Sequence, residues 1–151
     1  MATLKNRPFN DIKIGEQCQR KHQVTEADLI MFAKASGDAN PIHLDEEYAA
    51  TTQFKQRIAH GMFSGGLISA ALASDLPGPG TVYLGQDLQF KRPVHIGDTL
   101  TVQLTVSELH ESKPFVTLEC LVTNQDDKPV VTGTAKVMAP TEYMEVEAAE
   151  L

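Results

Sequence analysis

Residues 60–74 read HGMFSGGLISAALAS, and after the first histidine every side chain in this stretch is apolar or small. A helix that is hydrophobic nearly all round is expected to lie buried in the core. Gly65 and Gly66 are poor helix formers, and we expect them to let another backbone approach closely. The sequence PGPG at 77–80 then predicts a turn. The stretch therefore predicts one central buried helix.

Four segments that follow this turn have the composition of β-strands. Each alternates in polarity or is rich in Val, Thr, Leu and Phe, and they cover residues 82–90, 99–109, 115–124 and 130–138. The breaks between them are short, which favours an antiparallel sheet. The predicted fold class is α+β, with a strongly curved antiparallel sheet packed on the central helix.

The first half of the chain is predicted to be mostly helical and looped. Residues 18–24 alternate weakly and could form a strand. Thr25, with Asp28 three residues later, is close to a capping box, and the helix that it opens should end at Gly37. A second short helix is predicted over residues 45–51, capped by the aspartate that begins it.

The chain of 151 residues has the length of one domain and can bury one sizeable core. With 42% hydrophobic and 22% charged residues, its composition is that of a soluble globular protein. From residue 142 onward the sequence becomes acidic and rich in alanine, which is typical of a frayed terminus. We therefore expect a single domain over residues 1–141 and an acidic C-terminal tail over 142–151.

The formal net charge of −7 argues against a general electrostatic grip on nucleic acid, which requires clustered Lys and Arg. An anionic small molecule is compatible with it, because a local basic pocket can lie on an acidic protein. No apolar run reaches the roughly 18–20 residues that span a membrane, and residues 1–10 lack the apolar segment of a signal peptide. Cys18 and Cys120 fit neither a disulfide framework nor a metal-site spacing. We expect free thiols and a cytoplasmic protein without nucleic-acid or membrane partners.

Residues 36–43 read SGDANPIH and are dense in side chains that move protons or hold water. Asp38, Asn40 and His43 lie within six positions, and a turn at Pro41 could aim all three at one point. A carboxylate and an imidazole can hold one water between them, one taking its proton while the other gives one. The same spacing also fits a structural turn in which Asp and Asn bond their own backbone and His43 is a structural histidine.

A helix N-terminus could complete such a site, because its free N–H groups and its dipole favour negative charge that develops on an oxygen. The buried helix begins at His60 and Gly61, and a glycine there would let a bound molecule come close to the backbone. His60 could bind substrate or be catalytic; the alternative is that it fixes the loop. A metal site made of Asp38, His43 and His60 has suitable residue types but no recognised ligand spacing, so no metal is predicted.

Three stretches together resemble a known family. They are FAKASGDANPIH at 32–43, followed by Ala49; RIAHGM at 57–62; and YLGQDLQFKRPV at 83–94, followed by Gly97-Asp98. They resemble the (R)-specific enoyl-CoA hydratases, which belong to the MaoC-like dehydratase group of the hot-dog fold. The match is specific, because the motif around Asp38 fixes many positions at once, and it extends over residues 10–140.

The resemblance implies a hot-dog domain whose sheet wraps the central helix and which adds water to a trans-2-enoyl-CoA, giving the (R)-3-hydroxyacyl-CoA. It implies that Asp38 and His43 are the catalytic pair and that Asn40 helps to position the water or His43. The Gly61 N–H would contribute the oxyanion hole, and Ser69 matches a serine that lines the family's pocket. Members of the family pair as homodimers, with the CoA arm between the subunits, and need no metal or redox cofactor.

The acyl-CoA substrate would also need cations for its phosphates. The candidates are Lys55, Arg57, Lys91 and Arg92, and the alternative for each is ordinary surface charge.

Other functions are also open at this point. A hot-dog thioesterase usually places its carboxylate on the central helix or in a different loop, and residues 62–74 contain no acid. A non-catalytic acyl-CoA-binding module would not need the Asp38, Asn40 and His43 set. Nothing in the sequence separates CoA from acyl carrier protein as the carrier.

Overall fold

The computed structural model describes residues 2–151. The strands are β1 (Thr3–Lys5), β2 (Gln17–Gln23), β3 (Val82–Phe90), β4 (Thr99–Leu109), β5 (Phe115–Thr123), β6 (Pro129–Met138) and β7 (Glu145–Glu147). The α-helices are α1 (Glu26–Ser36), α2 (Pro41–Leu44), α3 (Glu46–Ala50) and α4 (Gly61–Ser74), and a 3-10 turn covers Phe9–Asp11. The four predicted C-terminal strands, the weakly predicted β2 and the α+β class are confirmed.

The five long strands form one antiparallel sheet in the order β2-β4-β5-β6-β3. Residues on β4 alternate between the core and the outer face, with Leu100, Val102, Leu104 and Val106 buried. The inward side chains of β4, β5 and β6 share one core with the buried face of α4. The sheet therefore has one face packed on the helix and one face toward solvent, which is the reason for the period-2 pattern in the sequence.

Helix α4 begins one residue later than predicted, because His60 has extended backbone angles and occupies the N-cap position. Ile68 and Leu72 are fully buried, and burying such a side chain contributes about 1.5–3 kcal/mol.

The prediction that Gly65 and Gly66 let another backbone approach closely is wrong. A Cβ on Gly65 would meet only side chains, and one on Gly66 would meet nothing within 4 Å, so no other backbone of residues 2–151 approaches them. None of the helices in residues 2–151 is long and apolar enough to cross a membrane.

The helical half of the chain follows its capping signals. Thr25 and Asp28 form a complete capping box at α1, and Gly37 ends that helix in the left-handed conformation with φ +81°. The segment 37–45 is more regular than predicted, because α2 begins inside it. Asn40 caps α2 by accepting from the Ile42 N–H, and the proline that follows occupies the first helical position, where its missing N–H has no helical partner to lose.

A short extended segment, Ile58 and Ala59, ties the helical half to the sheet. The Ile58 N–H donates to the Ile42 carbonyl at 3.3 Å, and the Ala59 N–H donates to the Val94 carbonyl at 2.7 Å. Ile58 also forms an isolated antiparallel bridge with His95. The segment leads directly into α4, so the start of that helix is fixed relative to both halves of the chain.

The C-terminal tail is ordered, which corrects the expectation of fraying. β7 pairs antiparallel with β1, with Leu4 opposite Val146. Asn6 is buried and completes a terminal clasp, formed by residues 3–6 and 142–147. Its Nδ2 donates to the carbonyls of Pro79 and Glu142, and its Oδ1 accepts from the Met144 N–H. An acidic composition favours fraying when the backbone of the tail has no hydrogen-bonding partner. Here β1 provides that partner for β7.

Both cysteines are free. Cys18 and Cys120 lie on either side of Leu104, one on each neighbouring strand. Two strand spacings of about 4.8 Å separate their backbones, which exceeds the Cα separation of about 7 Å that a disulfide can bridge. Burial raises the pKa of each thiol to about 11, so both stay protonated and unreactive near neutral pH.

Replacing Asn6 by alanine should destabilise the protein. The substitution removes three partly buried hydrogen bonds to the backbone of Pro79, Glu142 and Met144, which should lower the free energy of unfolding by about 2–4 kcal/mol. Urea unfolding monitored by circular dichroism measures this change. Asn10→Ala, at an exposed position, is the matched control. Equal stability of the two variants would show that the clasp is not formed in solution.

Candidate active site

Asp38 lies in the loop between α1 and α2 and is held by its own neighbours. Its N–H donates to Ser36 Oγ at 3.2 Å, and its Oδ1 accepts from the Asn40 N–H at 3.2 Å. Aspartates in turns commonly bond the backbone two residues on in this way. The structural turn anticipated from the sequence is therefore present, but it occupies only one carboxylate oxygen. Oδ2 remains available for chemistry.

His43 is buried on α2, with 8% of its surface exposed. Its Nδ1 lies 2.7 Å from the Ile58 carbonyl oxygen. Because a carbonyl can only accept, Nδ1 carries the proton and Nε2 of the neutral ring presents a lone pair. Nε2 faces Asp38 Oδ2 at 3.7 Å. The structure thus brings together the two residues that the sequence singles out.

The gap between these two groups has the dimensions of a water site. At 3.7 Å the two atoms are too far apart for a direct hydrogen bond. A water about 2.8 Å from each would bridge them, and a polar contact of this length commonly has a water between its atoms. The Asp38 side chain is half exposed, so a molecule can reach this position from outside. A carboxylate and a neutral imidazole sharing one water can take and return its protons.

His60 lies directly behind this pair and is almost fully buried. Its ring stacks on the ring of His43, with centroids 3.7 Å apart and planes 22° apart. Phe32 packs on His60 with a centroid distance of 4.8 Å. Nε2 of His60 lies 3.1 Å from the backbone oxygen of Asp38. The loop-fixing alternative for His60 is thus supported by contacts, although the side chain also lines a cavity.

The stacking of His60 on His43 also tests whether Asp38, His43 and His60 could bind one metal ion. Ligand atoms of Asp38, His43 and His60 lie within 4.8 Å of one another, which is close enough for a shared ion. A metal bound by two imidazoles must lie near both ring planes at about 2.0–2.1 Å from each nitrogen. Nearly parallel rings 3.7 Å apart point their lone pairs side by side, so they do not converge on one ion. The donor types fit zinc, but their geometry does not.

Gly61 is the first residue of α4. N–H groups in the first turn of a helix have no intrahelical partner and carry the positive end of the dipole. A Cβ on Gly61 would lie 3.1 Å from the Phe90 ring, so the glycine also avoids a contact with β3. Gly61 is exposed, unlike its neighbour His60. A carbonyl oxygen could therefore approach this end of the helix.

A cavity of about 330 Å³ adjoins the start of α4. His60 and Gly61 form part of its wall, Phe54 and Val94 are among its apolar lining, and two of the predicted cations, Lys91 and Arg92, lie beside them. Lys91 Nζ contacts Gln89 Oε1 at 2.9 Å, and one Arg92 Nη donates to the Pro129 carbonyl at 2.7 Å. Each cation retains further N–H donors, and both side chains are exposed.

Ser69 lies elsewhere, in a groove of about 440 Å³ between α4 and β3. Met62, Tyr83 and Leu88 contribute apolar walls to this groove, and Gln86 adds a second polar group. The structure therefore separates the predicted pocket serine from the cavity at Gly61. One lies along the length of α4 and the other lies at its beginning.

Arg57 does not line the cavity with the other two cations. Its Nε donates to Glu46 at 2.7 Å and its Nη1 donates to Glu26 at 3.2 Å, with the side chain 13% exposed. Burial alone would lower the pKa of the guanidinium, but the hydrogen bonds with both glutamates raise it. Arg57 thus joins α1 to α3, and its contact with substrate stays a prediction.

Two contributors to the site escape sequence reasoning. The Ile58 carbonyl sets the tautomer of His43, and no side-chain pattern reports a backbone acceptor. Phe32 packs against the His60 ring. Its position at the start of the motif stretch is a signal that could have identified it.

The chain is similar to known proteins over most of its length. A family model described as MaoC like domain matches residues 10–126. An (R)-specific enoyl-CoA hydratase from Rhodospirillum rubrum is 49% identical over 132 residues, covering 87% of this chain and 91% of that protein. A 3-hydroxybutyryl-CoA dehydratase from Methylorubrum extorquens is 43% identical and covers 87% and 83%. The unliganded R-hydratase PhaJ1 from Pseudomonas aeruginosa superposes with a TM-score of 0.97 at 53% identity, covering 99% of this chain and 96% of that one.

Proposed function

The chain belongs to the family of MaoC-like domains, and we propose that it adds water to trans-2-enoyl-CoA thioesters to give (R)-3-hydroxyacyl-CoA, and catalyses the reverse dehydration. The observation that carries the proposal is the 3.7 Å gap between Asp38 Oδ2 and His43 Nε2. His43 stacks on His60, and His60 directly precedes Gly61, whose N–H is free at the start of α4. The named relatives act on this class of substrate or its product.

In the proposed reaction a water held between Asp38 and His43 attacks Cβ of the enoyl group. One O–H bond of the water breaks, and the hydroxyl oxygen forms the new bond to Cβ. The proton released enters the Asp38–His43 pair, and a proton leaves the pair for Cα. The elements of one water are added, and the enzyme returns to its starting protonation. General acid–base help of this kind contributes roughly 10²–10⁴-fold.

Negative charge develops on the thioester oxygen between these two events, as an enolate. We assign its stabilisation to the Gly61 N–H and the positive end of the α4 dipole. The side chain of Asn40 caps α2 by accepting from the Ile42 N–H, so we assign it the role of placing His43, which lies on that helix.

The remaining substrate contacts follow from the cavities. We assign Lys91 and Arg92, which lie beside the cavity at Gly61, to the phosphates of CoA, which Lys and Arg suit. Ser69 and the groove along α4 would take part of the acyl group. An acyl group on carrier protein would use the same catalytic pair. The commitment to CoA rests on the named relatives.

We propose a homodimer, because the two edges of the sheet differ. Five of the seven residues of the β2 edge are exposed, and all five are polar. The β3 edge exposes Val82, Tyr83, Leu84 and Phe90, each 40–54% accessible. An apolar unpaired edge favours association. A second copy paired along β3 would also cover the groove that contains Ser69.

No metal or redox cofactor takes part in the proposed chemistry, since the Asp38–His43 pair handles the proton and α4 handles the negative charge. The two thiols are free, Cys18 half-buried and Cys120 buried, and they are too far apart to pair, which fits the reducing environment of the cytoplasm. The proposed function involves no nucleic acid or membrane partner.

The reaction is tested by loss of the enoyl chromophore when purified protein is added to crotonyl-CoA. We expect hydration without added metal and the same rate in EDTA. Chromatography of the product should show an intact thioester. If enoyl-CoA substrates of short and medium chain length are all unchanged, if EDTA abolishes turnover, or if free CoA is released, then the proposed function is wrong, and the last result would indicate a thioesterase.

Asp38 and His43 should act as one unit. Asp38→Asn keeps an oxygen for the Asn40 N–H, so the turn should survive, and His43→Gln removes the imidazole. Each should lower kcat by at least about 10²-fold. The double variant should lose far less than the product of the two losses, because members of a catalytic unit are not additive. Steady-state kinetics on all four proteins measures this; multiplicative losses would assign the residues to separate steps.

Two substitutions at Gly61 test the proposed oxyanion donor. Proline is tolerated at a first helical position, so Gly61→Pro deletes the N–H while the helix can persist. It should lower kcat by about 10²–10³-fold, the usual effect of losing one such donor. Gly61→Ala keeps the N–H and meets the exposed Phe90 ring at 3.1 Å, which can shift, so its kcat should fall less. A folded Gly61→Pro protein with normal kcat would eliminate this donor.

The dimer is tested by sedimentation at micromolar concentration, where the mass should be twice the chain mass of 16.5 kDa. Leu84→Lys places a charge on the β3 edge and should shift the protein toward monomer. Gln19→Lys, on the polar β2 edge, is the control and should leave the mass unchanged. A wild-type protein that is monomeric and fully active would contradict the proposal.

A further inference from the structure

His60 is held more tightly than a pocket-lining residue needs to be. Its surface is 4% exposed, and three different partners contact its ring. Nε2 meets the Asp38 carbonyl oxygen at 3.1 Å, one face stacks on His43 at 3.7 Å, and Phe32 packs at 4.8 Å. The side chain therefore touches both members of the proposed catalytic pair, one through a hydrogen bond and one through its ring.

The hydrogen bond fixes the protonation of this ring. Because the Asp38 carbonyl only accepts, Nε2 of His60 carries the proton. The Nδ1 atom is then a bare lone pair, and it is buried without a partner among the described residues 2–151. Leaving a polar atom in this state costs about 1–3 kcal/mol. A phenylalanine would fill the same space without that cost, so the Nε2–H must supply something that an apolar ring cannot.

Asp38 needs such an anchor from outside its own loop. The contacts with Ser36 and Asn40 are local, so they shape the turn but do not place it relative to α4. His60, which caps α4, reaches across 22 positions of the sequence to the Asp38 carbonyl. The His43 ring stacks on His60, so one side chain links the Asp38 backbone, the His43 imidazole and the start of α4.

We infer that His60 is a positioning residue for the hydration, an inference that rests on the proposed function of the same site. Its Nε2–H holds the Asp38 backbone and its ring face holds the plane of His43, so that Asp38 Oδ2 and His43 Nε2 keep the separation that one water bridges. His60 itself neither takes nor gives a proton. Its loss should therefore affect the rate of the chemical step rather than the binding of substrate.

Two variants separate the donor from the ring. His60→Phe keeps the stack and deletes the N–H, whereas His60→Gln deletes the ring and places an amide N–H at a similar reach. His60→Phe should lower kcat by roughly 10- to 100-fold, since small misplacements of catalytic groups have effects up to about 100-fold, with little change in KM. His60→Gln should recover most of that loss. His110→Gln, in the turn between β4 and β5, controls for loss of a histidine elsewhere.

Normal kcat in His60→Phe would overturn the inference, and so would a His60→Gln variant that falls as far as His60→Phe, or a change confined to KM. A second measurement uses the wild-type protein, so it does not depend on the variants folding. Nitrogen chemical shifts of labelled histidine should show His60 as the neutral Nε2–H tautomer and His43 as the Nδ1–H tautomer. A charged or Nδ1–H His60 would also refute it. This readout needs no substrate, so it stands apart from any failure of wild-type protein to hydrate crotonyl-CoA.

Discussion

The hydrogen bond from His43 Nδ1–H to the Ile58 carbonyl, 2.7 Å long, is the interaction on which the site depends. It leaves Nε2 as the free lone pair and turns it toward Asp38. Ile58 is held in turn by the Ile42 carbonyl and by its bridge to His95, while the next residue donates to Val94. The His43 imidazole is thus tied through one carbonyl to the sheet and to the start of α4.

The structural and the chemical explanations of the motif are compatible, because a carboxylate has two oxygens. Asp38 uses Oδ1 to close its turn and leaves Oδ2 facing the water position. The side-chain oxygen of Asn40 likewise accepts a hydrogen bond from the Ile42 N–H and caps α2. His43 therefore lies on a helix rather than in an irregular loop. Local hydrogen bonding therefore builds the geometry, and it leaves Asp38 Oδ2 and His43 Nε2 as the atoms to which we assign the chemistry.

Lys91 and Arg92 lie together beside the cavity at Gly61. A local basic patch of this kind is compatible with a net acidic protein.

Much of the fold was predictable, because its signals are local. The apolar stretch of α4, the alternation on β4 and the capping box at Thr25 each lie within one element of the sequence. The terminal clasp was not predictable in this way. It pairs residues nearly a whole chain apart, and its strands have three residues each, too few for a periodic pattern. Composition alone suggested fraying, and the backbone pairing with β1 overrode it.

The candidate site likewise combines features that the local sequence predicts with features that depend on long-range contacts. The motif brought Asp38, Asn40 and His43 to attention because they are neighbours in sequence. The stack of His60 on His43 joins residues 17 positions apart, and the ion pairs of Arg57 depend on how α1 and α3 pack. The sequence around a Lys or Arg does not show whether the side chain will pair with a glutamate or bind a phosphate. Arg57 pairs with two glutamates, whereas Lys91 and Arg92 lie beside the cavity, and the contact of each cation with substrate stays a prediction.

We propose that one water lies between Asp38 and His43 while the thioester oxygen rests on the Gly61 N–H. A crystal structure with a saturated acyl-CoA such as butyryl-CoA, which cannot be hydrated, examines both contacts at once. We expect a thioester oxygen within about 3.1 Å of the Gly61 nitrogen and a water, or the space for one beside Cβ, within about 3 Å of both Asp38 Oδ2 and His43 Nε2. A thioester bound away from α4, or with its Cβ out of reach of the Asp38–His43 gap, would contradict it.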